Sequence, residues 1–118
     1  MIILHCLTKS NWDKIKENSY YGKESIEAFG FIHCSSIGNF WRVAPNFKDI
    51  DEPLLLLCID SRKVEADIKW EDDENSGRKY PHIYGELNVD SVDSVLPFLK
   101  NDQGDFILNK ELEQHISV

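Results

Sequence analysis

The stretch LLLLCI, Leu54–Ile59, limits the fold more than any other part of the chain. It is an unbroken apolar run of strand length, opened by the Glu52-Pro53 boundary and closed by Asp60 and Ser61. A strand with one wet face alternates apolar and polar residues, whereas a strand covered on both faces does not need to. Leu54–Ile59 therefore predicts the centre of a sheet with layers on both sides. A chain of 118 residues, 42% apolar and 29% charged, can supply one such core but not two, so residues 1–118 are read as a single domain.

The remaining segments fit an α+β arrangement around that strand. Met1 to Leu7 is a predicted strand. Thr8 or Ser10 can cap a helix over Asn11 to Asn18, with Asp13 closing a capping box on Ser10. Lys23 to Phe29 reads as a short helix stopped by Gly30, and Phe31 to Cys34 as extended chain. Ser35 or Ser36 can cap a further helix through Ile37, Phe40, Trp41 and Ala44, which Pro45 ends. Ile68 to Glu71 predicts another strand, DDENSGRK a polar loop, Tyr80 to Leu87 extended chain and Ser91 to Leu99 a last strand. A helical extension is expected over 102–118, with its helix at Leu108 to His115. Trp12, Trp41 and Trp70 are expected in the core, as are Phe31 and Cys34.

Charge restricts the partners. The formal net charge is −8 and the pI is about 4.9. A protein that follows an extended nucleic acid usually carries a basic face, so that class is not expected; Arg42, Arg62, Arg78 and Lys79 could at most form a local patch. MIIL lacks the positive flank and small-residue cleavage site of a signal peptide, and no apolar run reaches membrane-spanning length. Three cysteines without framework spacing read as reduced thiols. The expected location is the cytoplasm, with no membrane partner; nothing in the sequence sets an oligomeric state.

Two stretches carry chemistry-bearing residues out of apolar runs: IILHCLT with His5, and GFIHCSS with His33. Side chains alternate along a strand, so each histidine faces away from its neighbouring cysteine. If Cys6 and Cys34 point into the core, His5 and His33 turn toward one cleft. His82 and Tyr84, two residues apart in PHIYG, share a face. A metal site is not expected, because adjacent His-Cys pairs on a strand do not bring both ligands to one ion. For each histidine alone, the plain alternative is a ring bonded to a buried backbone group. Thr8, Ser35 and Ser36 can likewise be simple helix caps.

The ordered set H-x-x-T (His5, Thr8), GFIHCS (Gly30 to Ser35), WE (Trp70, Glu71) and PHIYG (Pro81 to Gly85) resembles the small bacterial domain-of-unknown-function family 952, over roughly residues 2–97. The resemblance implies a compact, split, mostly antiparallel sheet with short flanking helices, of ADP-ribosyltransferase type. It implies NAD, or another ADP-ribose-containing nucleotide, as the ligand. His5 with Thr8 would meet a ribose, and His33 with Ser35 and Ser36 would form a second element similar to the RNA 2′-phosphotransferase branch. Where that superfamily uses a glutamate, PHIYG has none, leaving Glu71 or Glu86 to be recruited.

Breaking a nicotinamide-ribose bond requires a fixed ribose, a held leaving group and excluded water. Imidazoles suit ribose hydroxyls, and Tyr84 or Trp12 could stack on a base. The resulting expectation places His5, His33 and His82 in catalysis and Thr8, Trp12, Ser35, Ser36, Tyr84 and Glu71 at the ligand. The alternative is a nucleotide-binding module that kept the fold and lost the chemistry.

Overall fold

A computed structural model describes residues 1–72 and 74–113 of the chain. In chain order its elements are β1 (Ile2–Thr8), α1 (Lys9–Ile15), β2 (Tyr20–Tyr21), α2 (Lys23–Phe29), β3 (Ile32–His33), β4 (Ser35–Ser36), α3 (Phe40–Val43), β5 (Leu54–Asp60), β6 (Asp67–Glu71), β7 (Tyr80–Tyr84), β8 (Leu87–Asn88), β9 (Val92–Pro97), β10 (Leu99–Lys100), β11 (Phe106–Ile107) and α4 (Lys110–Glu113). The fold is a mixed α+β arrangement of antiparallel strand pairs with short helices.

The Leu54–Ile59 run lies inside a four-stranded sheet of order β4-β1-β5-β9. β1 and β5 pair along their whole length, from Ile2 opposite Asp60 to Thr8 opposite Leu54. Their side chains supply two apolar layers in alternation. Leu4, Cys6, Leu54, Leu56 and Cys58 pack on one face with Phe40, Ala44 and Leu112. Ile3, Leu7, Leu57 and Ile59 pack on the other with Ile32, Ile83 and Leu87. Ile32 and Ile83 belong to a second, three-stranded sheet of order β3-β7-β6, which covers that face. Two-stranded pairs β2-β8 and β10-β11 complete the split sheet.

The helices are short, seven residues for α1 and α2 and four for α3 and α4. Thr8 Oγ1 accepts from the Asn11 amide and so starts α1 two residues earlier than expected. Asp13 closes no capping box; it pairs with Lys9 and Lys16 along the exposed helix face. α2 stops where foreseen, at Gly30, whose φ of 87° is left-handed and whose N–H returns to the Ile26 carbonyl. Gly85, the last residue of PHIYG, has a φ of 153°, and a Cβ there would lie 2.9 Å from the Ala66 Cβ. Close packing of the β7-β8 corner on Ala66 thus requires glycine.

Several expectations are corrected. Ser35 and Ser36 form a strand, and the following helix begins only at Phe40, because Ser35 pairs with Leu4 across β1. Trp41 is 57% exposed and Trp70 39%, so neither is core; β6 is an edge strand and α3 turns Trp41 outward. Phe31 is half-buried instead of core, since alternation puts it on the His33 side of β3 while Ile32 takes the inner side. Part of the expected helical extension is a hairpin. The Asn101 side-chain oxygen accepts from the Gln103 and Asp105 amides and turns β10 into β11, leaving α4 only Lys110–Glu113. His115 lies outside the described residues. Among the described residues, no helix is long and apolar enough to cross a membrane.

Because Leu57 is fully buried between the two sheets, Leu57→Ala is expected to cost about 2–5 kcal/mol in a urea unfolding titration. Trp41→Ala, on the outside, is expected to change stability by less than about 0.5 kcal/mol.

Candidate functional site

The GFIHCSS stretch passes from one sheet to the other. Ile32 and His33 pair with β7, and Ser35 and Ser36 pair with β1, with Cys34 buried at the crossing. The Cys34 amide donates to the Pro81 carbonyl, 3.1 Å away, so the crossing is tied to the start of PHIYG. A cleft of about 630 Å³ opens along this seam, lined by His5, His33, Ser35, Glu71, His82, Arg42 and Arg78 among others. That volume is in the range of about 300–1,000 Å³ usual for small-molecule sites.

At the base of the cleft lies His5, buried on β1. Its Nδ1 is 2.7 Å from the His33 carbonyl oxygen, which can only accept, so Nδ1 carries the proton. Burial, the largest influence, holds the His5 pKa below the usual histidine value. The neutral ring therefore accepts at Nε2 from the Tyr21 hydroxyl, 2.9 Å away. Both nitrogens are committed within the protein. Burial also pushes the Tyr21 hydroxyl up to about 12, which keeps it a donor. Tyr21 has no sequence signal: β2 is too short to show a period, and its hydroxyl meets His5 only once β2 pairs with β8.

His33 and His82 face each other across β3 and β7, with ring centroids 5.5 Å apart. His33 is exposed at the rim, while His82 is buried. Phe31 stacks on His82 at 4.0 Å and an interplanar angle of 17°, fixing the imidazole plane. Glu71 reaches the same face from β6. Its Oε1 accepts from His82 Nδ1 at 3.0 Å and from the Tyr84 hydroxyl. The Tyr84 hydroxyl first, and the His82 ring second, hold the Glu71 carboxyl below the ordinary glutamate range. The carboxylate is thus ionised, and His82 donates to it from Nδ1.

The other sequence candidates separate into two groups. Ser35 lines the cleft, its hydroxyl donating to the Ser36 carbonyl. Tyr84 sits behind the lining and acts on it through Glu71. Thr8 caps α1, Ser36 Oγ accepts from the Asn39 amide, and Trp12 packs on the buried layer of Ile3 and Leu57; the cleft lining includes none of these three. Burial raises the thiol pKa of Cys6 to about 12 and raises those of Cys34 and Cys58 as well, which makes all three poor nucleophiles. Among the described residues, no cluster of three or more His, Cys, Asp or Glu side chains is arranged to hold a metal ion. Arg42 and Arg78 are lining residues that no motif marked.

The family described as "Protein of unknown function (DUF952)" matches residues 6–95. The chain belongs to that family. Its fold is similar to the crystal structure of protein CC0527 from Caulobacter crescentus, with a TM-score of 0.78 and 26% identity over 98% of this chain and 97% of that one. The solution structure of the same Caulobacter protein gives a TM-score of 0.73 at the same identity and coverage. No curated protein matches the chain.

In this member of the family, His5 makes a specific demand on pH. An unfolded histidine titrates near 6.5 and the folded His5 lower, so the unfolded chain binds the extra proton first as pH falls. His5 thus contributes stability that is fully present above about pH 6.5 and declines below it. Urea titrations between pH 7 and 5 should show that loss, and His5→Asn should flatten the profile while lowering stability at pH 7. Tyr21→Phe removes one buried hydrogen bond and is expected to cost about 1 kcal/mol.

Proposed function

We propose that the cleft binds NAD or another ADP-ribose-containing nucleotide, and that Glu71 supplies the carboxylate PHIYG lacks. The observation that carries this reading is the joint position of His33, His82 and Glu71 on one face of β3-β7-β6, at the edge of a cleft of nucleotide-compatible size. The resemblance of the chain's motifs to an ADP-ribosyltransferase-type scaffold gives the same ligand class. His33 is placed to meet ribose hydroxyls at the rim. Glu71, ionised and fixed by Tyr84 and His82, is suited to a ribose that gains positive charge as the nicotinamide bond lengthens. In that transfer the C1′–N bond breaks with its electron pair leaving on nicotinamide. A nucleophile such as water bonds to C1′ and gives up its proton.

His5 has a different part: with both nitrogens engaged, it shapes the base of the cleft and does not act on the ligand. A second reading, a module that binds without turnover, is favoured by one feature. Glu71 Oε1 is already taken by two protein donors, so the carboxylate can serve the site without serving a reaction.

Calorimetric titration with ADP-ribose and NAD tests the binding. His33→Ala is expected to weaken it about tenfold, the scale of one lost hydrogen bond to a polar ligand. No heat with either nucleotide at millimolar concentration would rule the reading out. Chromatographic assay for released nicotinamide separates the two versions: turnover abolished in Glu71→Gln with binding retained supports the enzyme, and binding with no release by the unaltered protein supports the module.

A further inference from the structure

The chain has three arginines, and the structure treats them differently. Arg62 is neutralised by Asp60, with Nε to Oδ1 at 3.1 Å and Nη2 to Oδ2 at 3.0 Å. Arg42 and Arg78 both line the cleft, and among the described residues neither forms an ion pair. In a chain of net charge −8, two arginines in the lining of one cleft, neither with an ion-pair partner among the described residues, need a reason.

We propose that Arg42 and Arg78 form a phosphate-recognition pair that seats the diphosphate of the ligand. The inference rests on the nucleotide reading of the cleft and names the part of the ligand held by charge. Arg42 projects from α3, and its Cζ lies 4.2 Å from the centre of the Trp41 ring, a stacking contact that preorders the guanidinium. Arg78 follows a turn held by Asp72, whose carboxylate accepts from the Ser76 amide at 2.9 Å, the Ser76 hydroxyl at 3.2 Å and the Gly77 amide at 2.7 Å.

Those bonds matter for charge as well as shape. The Asp72 carboxylate, still charged, is directed at its own turn, and the Glu71 carboxylate at His82 and Tyr84. Glu74, exposed, is the third carboxylate among the described residues of the lining. Among the described lining residues the lysine and arginine side chains are these two arginines, Arg42 on α3 and Arg78 just after the Asp72 turn. Each guanidinium presents a planar fork suited to two oxygens of one phosphoryl group. A diphosphate offers one phosphoryl to each.

Inorganic pyrophosphate is the probe. At millimolar concentration it should shift the side-chain Nε resonances of Arg42 and Arg78 and leave Arg62 unmoved, with binding that weakens as salt is raised. Arg42→Ala and Arg78→Ala should each weaken pyrophosphate and ADP-ribose binding about tenfold, with unchanged circular dichroism; Arg62→Ala should not. No pyrophosphate binding, or binding indifferent to both substitutions, overturns the pair. Inorganic phosphate binding as tightly as pyrophosphate overturns the assignment to a diphosphate. If pyrophosphate binds and ADP-ribose does not, the arginine pair stands and the nucleotide reading falls. If ADP-ribose binds with an affinity that neither substitution alters, the nucleotide reading stands and the pair falls.

Discussion

One imidazole ties three sheets together. His5 belongs to β1 of the four-stranded sheet, donates from Nδ1 to the His33 carbonyl of the three-stranded sheet, and accepts at Nε2 from Tyr21 of the β2-β8 pair. A buried ring can satisfy both partners only while neutral, and burial enforces that state. The separation of β1 from β3 is thereby fixed at the point where the chain crosses between sheets. The cleft exists because the crossing holds the sheets joined at Cys34 and open beside it. The two directional bonds to His5 add to the backbone ladders on either side of Cys34, which already hold Ile32 and Ile83 against Leu57.

Charge in the cleft follows from which acids are already occupied. The protein is strongly acidic, yet the carboxylates nearest the seam are turned inward to protein donors: Glu71 to His82 and Tyr84, and Asp72 to the Ser76 and Gly77 amides. Asp60 is consumed by Arg62 at the far end of β5. Among the described residues Arg42 and Arg78 form no ion pair. Local hydrogen bonding, more than net composition, decides which charged side chains are left without a protein partner to meet a ligand.

Much of this was readable in the residues. The unbroken apolar character of Leu54–Ile59 located an interior strand, because a two-sided burial leaves a pattern in sequence. Strand alternation separated the histidines from Cys6 and Cys34. The same rule, applied one step further, places Phe31 beside His33 at i−2 and so removes it from the core. Other features leave no local trace. Tyr21 meets His5 through a two-residue strand, and Arg42 and Arg78 come to line one cleft only through the tertiary fold. Helix bounds were displaced where side chains had a choice of partner, as when Thr8 took the cap that Ser10 could have held. Trp41 and Trp70 show the weakness of reading large aromatics as core: a short helix or an edge strand can hold them outside.

A division of labour among the histidines is the centre of the proposal: His5 maintains the seam, and His33 and His82 line the cleft proposed to take the nucleotide. Imidazole ¹⁵N spectra recorded through an ADP-ribose titration test it most directly. The account predicts that His33 and His82 resonances move with ligand while His5 keeps its Nδ1-protonated, neutral signature throughout. A ligand-dependent change of the His5 tautomer or charge, with His33 and His82 unmoved, would contradict it.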